Sequence, residues 1–491
     1  MPLINETGML VSLIISCFLL QGAALAMGKR ALTTEAFASG RKLLHTCSGR
    51  SLDRLLSVLQ DDPSVVAMSR AKRMDVDSQL FDHMVHVVDV PLEDGTVFQW
   101  EILHPGRLLS TLVRDCPALQ DMIGEAANRR EPTESCPWSL VIGFDEFVPG
   151  NKAALHNWRK CMVLSFSFLE LDHNLMKDDV WMTPVCVRAC MMAKAVGGWA
   201  RMFRDYLRIQ LLGEEGITTA GVPLIIHGEP MMLFARLKHV LSDGDGLRIA
   251  FDWKGAGGLK PCFLHWNVFS KLSDLAFRRP EYVDITCTDC SLFLKNTDED
   301  IAVAQEIVAE AQERWEEGLM TLTRLENITK TQGLNANREG VIAAEDLRGA
   351  FSIADVFTND WVHSSLCDGF FSVEAFLLIQ ACRRIDISWN EFKMFLQEDW
   401  EFPRDRRHQM QNGWKVFAEE RNHDESKKLK CDASELLNVY GLMRHFVDTR
   451  IGSEEAVSAE VASFKAACKV IDLILMAKRG LLSMAEAKHR V

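Results

Sequence analysis

The chain has 491 residues, room for roughly two to four domains of ordinary size, which excludes a lone small module. Hydrophobic residues make up 48% and charged residues 25%, with Gly 30 and Pro 14, and this composition excludes a collagen-like or wholly disordered chain. Lys+Arg 55 against Asp+Glu 68 gives a net charge of −13, so any contact with nucleic acid has to come from local basic patches.

Residues 9–26 (MLVSLIISCFLLQGAALA) form an apolar leader ending in Ala-Leu-Ala. Three readings stand: a secretory signal, an upstream extension ahead of a start at Met27, or a buried or anchoring helix. A used leader implies the secretory pathway, whereas a start at Met27 is compatible with the nucleus. Glu6 is the sole charged side chain through Gly8, so the usual basic start of a signal is missing. No other segment reads as long and apolar enough to cross a bilayer. Of the 14 cysteines, Cys161, Cys186, Cys190, Cys367 and Cys382 stand singly in apolar runs and read as buried free thiols.

Residues 27–137 read as a helical and hairpin region. Helical spacing over 35–60 is stopped by Asp61-Asp62-Pro63. Residues 86–100 predict two strands around Glu93-Asp94-Gly95, because Asp-Gly supplies the positive-φ positions of a tight turn. A polar, proline-bearing stretch over 128–135 marks a boundary. Beyond it, strands are expected over 139–144 and 160–171, helices over 185–212 and 231–241, and a strand over 247–251 that runs into Asp252. Helices follow over 301–325, 366–385 and 433–445. The order of strands and helices gives an α/β class. The chain ends within a helical pattern that lacks a C-cap, which reads as a truncation.

Three acidic residues sit at the ends of these elements: Asp145, Asp252 and Asp360. Such a distribution suits a carboxylate cluster that holds two hard divalent cations, Mg²⁺ or Mn²⁺, for phosphodiester chemistry. Glu146, Asp243 and Asp245 lie close enough in sequence to replace the first or second of them, although the bland reading of Asp243 and Asp245 is a solvated Asp-Gly turn.

The words around these acids carry a resemblance. Ile142-Gly-Phe-Asp145-Glu-Phe-Val-Pro-Gly-Asn151, then Asp243-Gly-Asp-Gly246 leading to Phe251-Asp252-Trp-Lys-Gly255 and Gly258-Leu-Lys-Pro-Cys262, then Asn359-Asp360-Trp-Val-His363 with Asp368-Gly369 and Glu374, resemble in order the three catalytic blocks of CACTA/Plavaka-type DDE transposases. The resemblance covers roughly residues 90–491. It implies an RNase H-like core over 138–401, interrupted by a partly helical insertion over 255–344 and followed by a helical C-terminal region over 402–491. It also implies Asp145, Asp252 and Asp360 as the metal-binding triad, His363 and Glu374 as nearby groups, and DNA, both transposon ends and target, as the partner of a homo-oligomer. The implied reaction is strand cleavage and strand transfer, and the copy is either active or an inactive relic. The rival is a non-enzymatic protein of the secretory pathway whose acidic residues are structural.

A second constellation is Cys262-x-x-His265 with Cys287-x-x-Cys290, whose spacing fits a tetrahedral Zn²⁺ site; the alternative is a packed aromatic corner with ordinary thiols. Basic segments occur at 69–73, Arg278-Arg279, Arg383-Arg384 and 403–408. In the last of these, Arg404, Arg406 and Arg407 lie near Trp400 and Trp414 and suit DNA-backbone contacts.

Overall fold

In a computed structural model of the chain, the described residues are 82–148, 160–366, 369–400, 413–418, 427–452, 454–479 and 481. The leader, the helix expected over 35–60, the basic segment 69–73 and Arg404, Arg406 and Arg407 lie outside them. The chain divides into two compact units. One takes in residues up to 240 together with 248–356, and the other takes in 241–247 together with everything from 357 onward.

The first unit opens with the expected hairpin, β1 (Val85–Pro91) antiparallel to β2 (Val97–Leu103). Gly95 supplies the turn at φ +82, and Asp94 Oδ1 accepts the N–H and hydroxyl of Thr96. Helices α1 (Pro105–Asp115) and α2 (Pro117–Arg129) follow, each started by a proline whose missing N–H is harmless in the first turn. The polar stretch that follows is tied down, since Trp138 Nε1 donates to Arg130 O at 2.7 Å.

β3 (Trp138–Phe147) and β4 (Cys161–Phe168) are antiparallel, with Asp145 opposite Val163, and β4 is antiparallel to β5 (Met182–Arg188). All eight residues of β4 are buried. The helix expected over 185–212 is therefore three things: Val185 and its β-branched and cysteine neighbours continue the sheet, Ala189–Met192 make a single helical turn, and α3 (Gly198–Leu211) starts where Gly197 and Gly198 turn the chain at positive φ.

The next two expectations are exchanged. Residues 231–241 are strand, divided between β7 (Glu229–Leu233), which pairs with β6 (Val222–Ile226), and β8 (Ala235–Ser242). Residues 247–251 are largely helix, in α4 (Gly244–Ala250). Leu233, Leu237 and Val240 satisfy a helical repeat, but burial in β8 alternates, with Ala235 and Leu237 inward and Arg236 and Lys238 outward. Asp243 explains α4: its backbone carbonyl accepts from Leu247 N and its Oδ1 from Gly246 N, which is capping geometry.

The segment corresponding to the expected insertion carries a short parallel pair, β9 (Val268–Phe269) with β10 (Val283–Asp284), and two helices, α5 (Asp298–Glu316) and α6 (Leu322–Gln332). With β11 (Phe357–Asn359), the main sheet has the order β11-β8-β3-β4-β5 and is mixed. Trp138 N donates to Phe234 O, so β8 starts beside the start of β3.

The second unit is mainly helical: α7 (Trp361–Ser365), α8 (Phe370–Cys382), α9 (Trp389–Met394), α10 (Ala433–Phe446) and α11 (Ser458–Lys478). Residues 361–385 are long and apolar enough to cross a membrane, contrary to the sequence expectation that only the leader is. Here they serve as core: Phe371, Ala375, Ile379 and Cys382 are fully buried, and the Phe371 ring lies 5.5 Å from that of Phe464. The Cys161 and Cys382 side chains are buried, whereas Cys186 and Cys190 are exposed, and Cys367 lies outside the described residues.

Candidate functional site

Asp145 stands near the end of β3. The adjacent Phe144 packs against Trp199 and Phe203 of α3, so strand alternation turns Asp145 to the opposite face of the sheet. Its Oδ1 accepts the N–H of Glu146 at 2.7 Å, and Glu146 itself is ion-paired with Lys160.

The second unit brings two of the acidic words together. Asp243 and Asp245 follow directly on β8, and Asp360 follows directly on β11. The backbone N–H of Asp360 donates to Ser242 O at 3.0 Å, which joins the two turns. Gly246 is demanded by this packing, because a Cβ there would meet Ser242 Oγ at 2.0 Å and Asp243 Oδ1 at 3.0 Å. Asp360 caps α7 by accepting the N–H of Val362 on Oδ1 at 3.0 Å, while its Oδ2 lies 2.7 Å from His363 Nδ1. The carboxylate thus fixes the orientation of the imidazole.

Asp252 is a different kind of residue. It follows helix rather than strand, sits at φ +51 and is half-buried inside the first unit. Its Oδ1 accepts from Asn337 Nδ2 at 2.9 Å, its carbonyl accepts from Asn335 N at 2.6 Å, and Asn337 also donates to Gly197 O. Gly340 closes over it, where a Cβ would meet Oδ2 at 2.1 Å. Burial pushes the Asp252 carboxyl up to about 7, against the hydrogen bond from Asn337, which favours the charged form. This carboxyl fastens the 335–340 loop to the start of α3, a role that no sequence word announced. Glu339 of the same loop reinforces it, pairing with Arg201 and Arg204 at 2.9 Å each.

Glu374 accepts from Ser463 Oγ at 2.9 Å and ties α8 to α11. Cys262 Sγ lies 3.2 Å from His265 Nδ1, while the Cys287 thiol reaches toward Asp289 O at 3.7 Å and Cys290 is exposed at the start of a 3-10 turn. Burial and the nearby Lys295 ammonium lower the His265 pKa, which leaves a neutral ring. Among the described residues, no three His, Cys, Asp or Glu side chains are gathered as a metal-holding group. The donors around Asp243, Asp245 and Asp360 are hard oxygens and match Mg²⁺ or Mn²⁺ in kind; they do not form a closed ligand set. Arg384 is paired with Glu460 at 2.5 Å, and Arg278 and Arg279 are exposed on a loop of the first unit. No family model matches the chain, and no curated protein matches it at a significant level.

Proposed function

We propose that the chain is a transposase-derived protein of the DDE type, with an RNase H-like core and a metal-dependent activity of DNA strand cleavage and strand transfer. One observation carries the reading. Three antiparallel strands, β3, β4 and β5, are followed by a fourth, β8, added at the free edge of β3, and by a fifth, β11, outside it. An RNase H-like sheet has its strands in such an order, which supports the reading, and the acidic words fall on the first strand, after the fourth and directly after the fifth. For the acidic positions that the resemblance implies, Asp145 and Asp360 are retained, and for the second position the reading favours Asp243 or Asp245, next after the fourth strand, ahead of Asp252, which follows helix.

In the reaction, water attacks a phosphodiester and the P–O3′ bond breaks, leaving a 5′-phosphate and a 3′-hydroxyl; that hydroxyl then attacks a phosphodiester of the target, forming a new P–O3′ bond as the target's own P–O3′ bond breaks and its 3′-hydroxyl leaves. Divalent cations would supply activation of the nucleophile and stabilisation of the leaving oxygen. The chain's own contribution is placement: capping holds the Asp243 and Asp360 carboxylates, and Asp360 orients His363 for contact with phosphate. Incubating the full chain with supercoiled plasmid and Mg²⁺ or Mn²⁺ tests the reading. Nicking that is lost in Asp145→Asn is expected, and equal nicking by wild type and Asp145→Asn would overturn it.

A further inference from the structure

The loop between β9 and β10 displays an aromatic side chain that the core does not use. Phe277 is 86% exposed, the highest exposure recorded for a large hydrophobic residue among the described residues. It is followed directly by Arg278 and Arg279, both exposed, and Lys271 is exposed at the other end of the loop. Among the described residues Arg279 has no side-chain hydrogen bond or ion pair.

The display is held firmly. Asn267, fully buried, donates through Nδ2 to the carbonyls of Glu281 at 2.7 Å and Leu292 at 2.8 Å and accepts the N–H of Leu294 at 2.8 Å. The rings of Phe269 and Tyr282 lie 4.7 Å apart beneath the loop, with Trp266 edge-on to Tyr282 at 6.1 Å. Within the loop, Arg278 Nε donates to Leu272 O at 3.0 Å, Tyr282 N donates to Arg279 O at 3.1 Å, and Lys271 pairs with Asp274 at 3.2 Å. A rigid stem therefore presents a solvated ring beside cationic side chains, and the ordering of the loop is complete before any partner arrives.

We propose that the tip formed by Phe277, Arg278 and Arg279 binds DNA, with Phe277 stacking on an unpaired base and the two arginines contacting the flanking phosphates. A ring with a flat solvated face beside guanidinium groups matches a polymer that alternates aromatic bases and anionic phosphates. The net charge of −13 repels phosphate overall, so contact has to be made by a local cationic group of this kind. The inference rests on the proposed DNA-directed function and names one surface that would serve it.

The test is binding of the full chain to a short single-stranded DNA oligonucleotide carrying the fluorescent base analogue aminopurine, read by anisotropy and by the analogue's emission. Wild type should bind and alter the emission. Phe277→Ala should weaken binding roughly 5- to 100-fold and remove the emission change, while Phe277→Trp retains both. Arg279→Gln should reduce the salt dependence by about one counterion. Ile285→Ala, an exposed apolar residue on the neighbouring strand end, should bind as wild type does. Unchanged affinity and emission in Phe277→Ala would overturn the inference while leaving the DNA-directed reading in place. No binding of single-stranded or duplex DNA by wild type would overturn both.

Discussion

The N–H of Asp360 donates to the carbonyl of Ser242 at 3.0 Å, so two acidic turns about 115 residues apart in sequence share a hydrogen bond at the ends of adjacent strands. Asp360 also caps α7 and holds His363. Asp360→Ala removes the cap and the imidazole partner and should lower stability by about 1 kcal/mol, whereas Asp360→Asn, which keeps an acceptor for Val362 N, should lose less. Urea denaturation of the two variants measures the difference.

Gly246 is required by the approach of Ser242 Oγ, which lies 2.0 Å from where a Cβ would stand. Gly246→Ala should therefore destabilise by roughly 1–3 kcal/mol as overpacking. Adding Ser242→Ala removes the clashing oxygen and should restore much of the loss. A double-mutant cycle by thermal denaturation reads this coupling, and additive effects would refute the close approach.

Asp252 makes the chain's stability depend on pH. Its carboxyl is raised from 3.8 to about 7 by burial, so below about pH 4 folded and unfolded forms are both protonated, and between about pH 4 and 7 only the unfolded form ionises. Stability should fall across that window by an amount on the order of 4 kcal/mol and change little above it. Asp252→Asn keeps an acceptor for Asn337 Nδ2, tolerates the left-handed backbone and cannot ionise. Above about pH 7 this variant should be more stable than wild type, with a flatter profile from about pH 4 to 7. Melting temperature against pH for both proteins checks the sign.

The hairpin at Asp94-Gly95 was legible in the sequence because its turn chemistry is local, and β4 was legible because a buried apolar run of strand length has few alternatives. The exchange of strand and helix around Asp243 was not, since Leu233, Leu237 and Val240 fit a helical repeat as well as they fit the burial of a strand. Asp252, expected at a strand end, therefore follows helix instead. The cap at Asp243, with Gly244 and Gly246 following it, was the signal that marks Leu247 as helical. The buried tie from Asp252 through Asn337 to Gly197 joins residues far apart in the chain, and no local pattern foretells it.

The central proposal, that the acidic positions Asp145, Asp243 or Asp245, and Asp360 serve divalent cations, is tested most directly by titrating the purified full chain with Mn²⁺ in a calorimeter, a measurement that reads metal binding in an active enzyme and in a relic alike. Wild type and Asp252→Asn should bind Mn²⁺ alike, while Asp145→Asn, Asp360→Asn and the double variant Asp243→Asn/Asp245→Asn should each weaken binding at least 10-fold, as expected from deleting an anionic ligand. Binding that is lost in Asp252→Asn and untouched in the other three, or no binding by wild type, would contradict it.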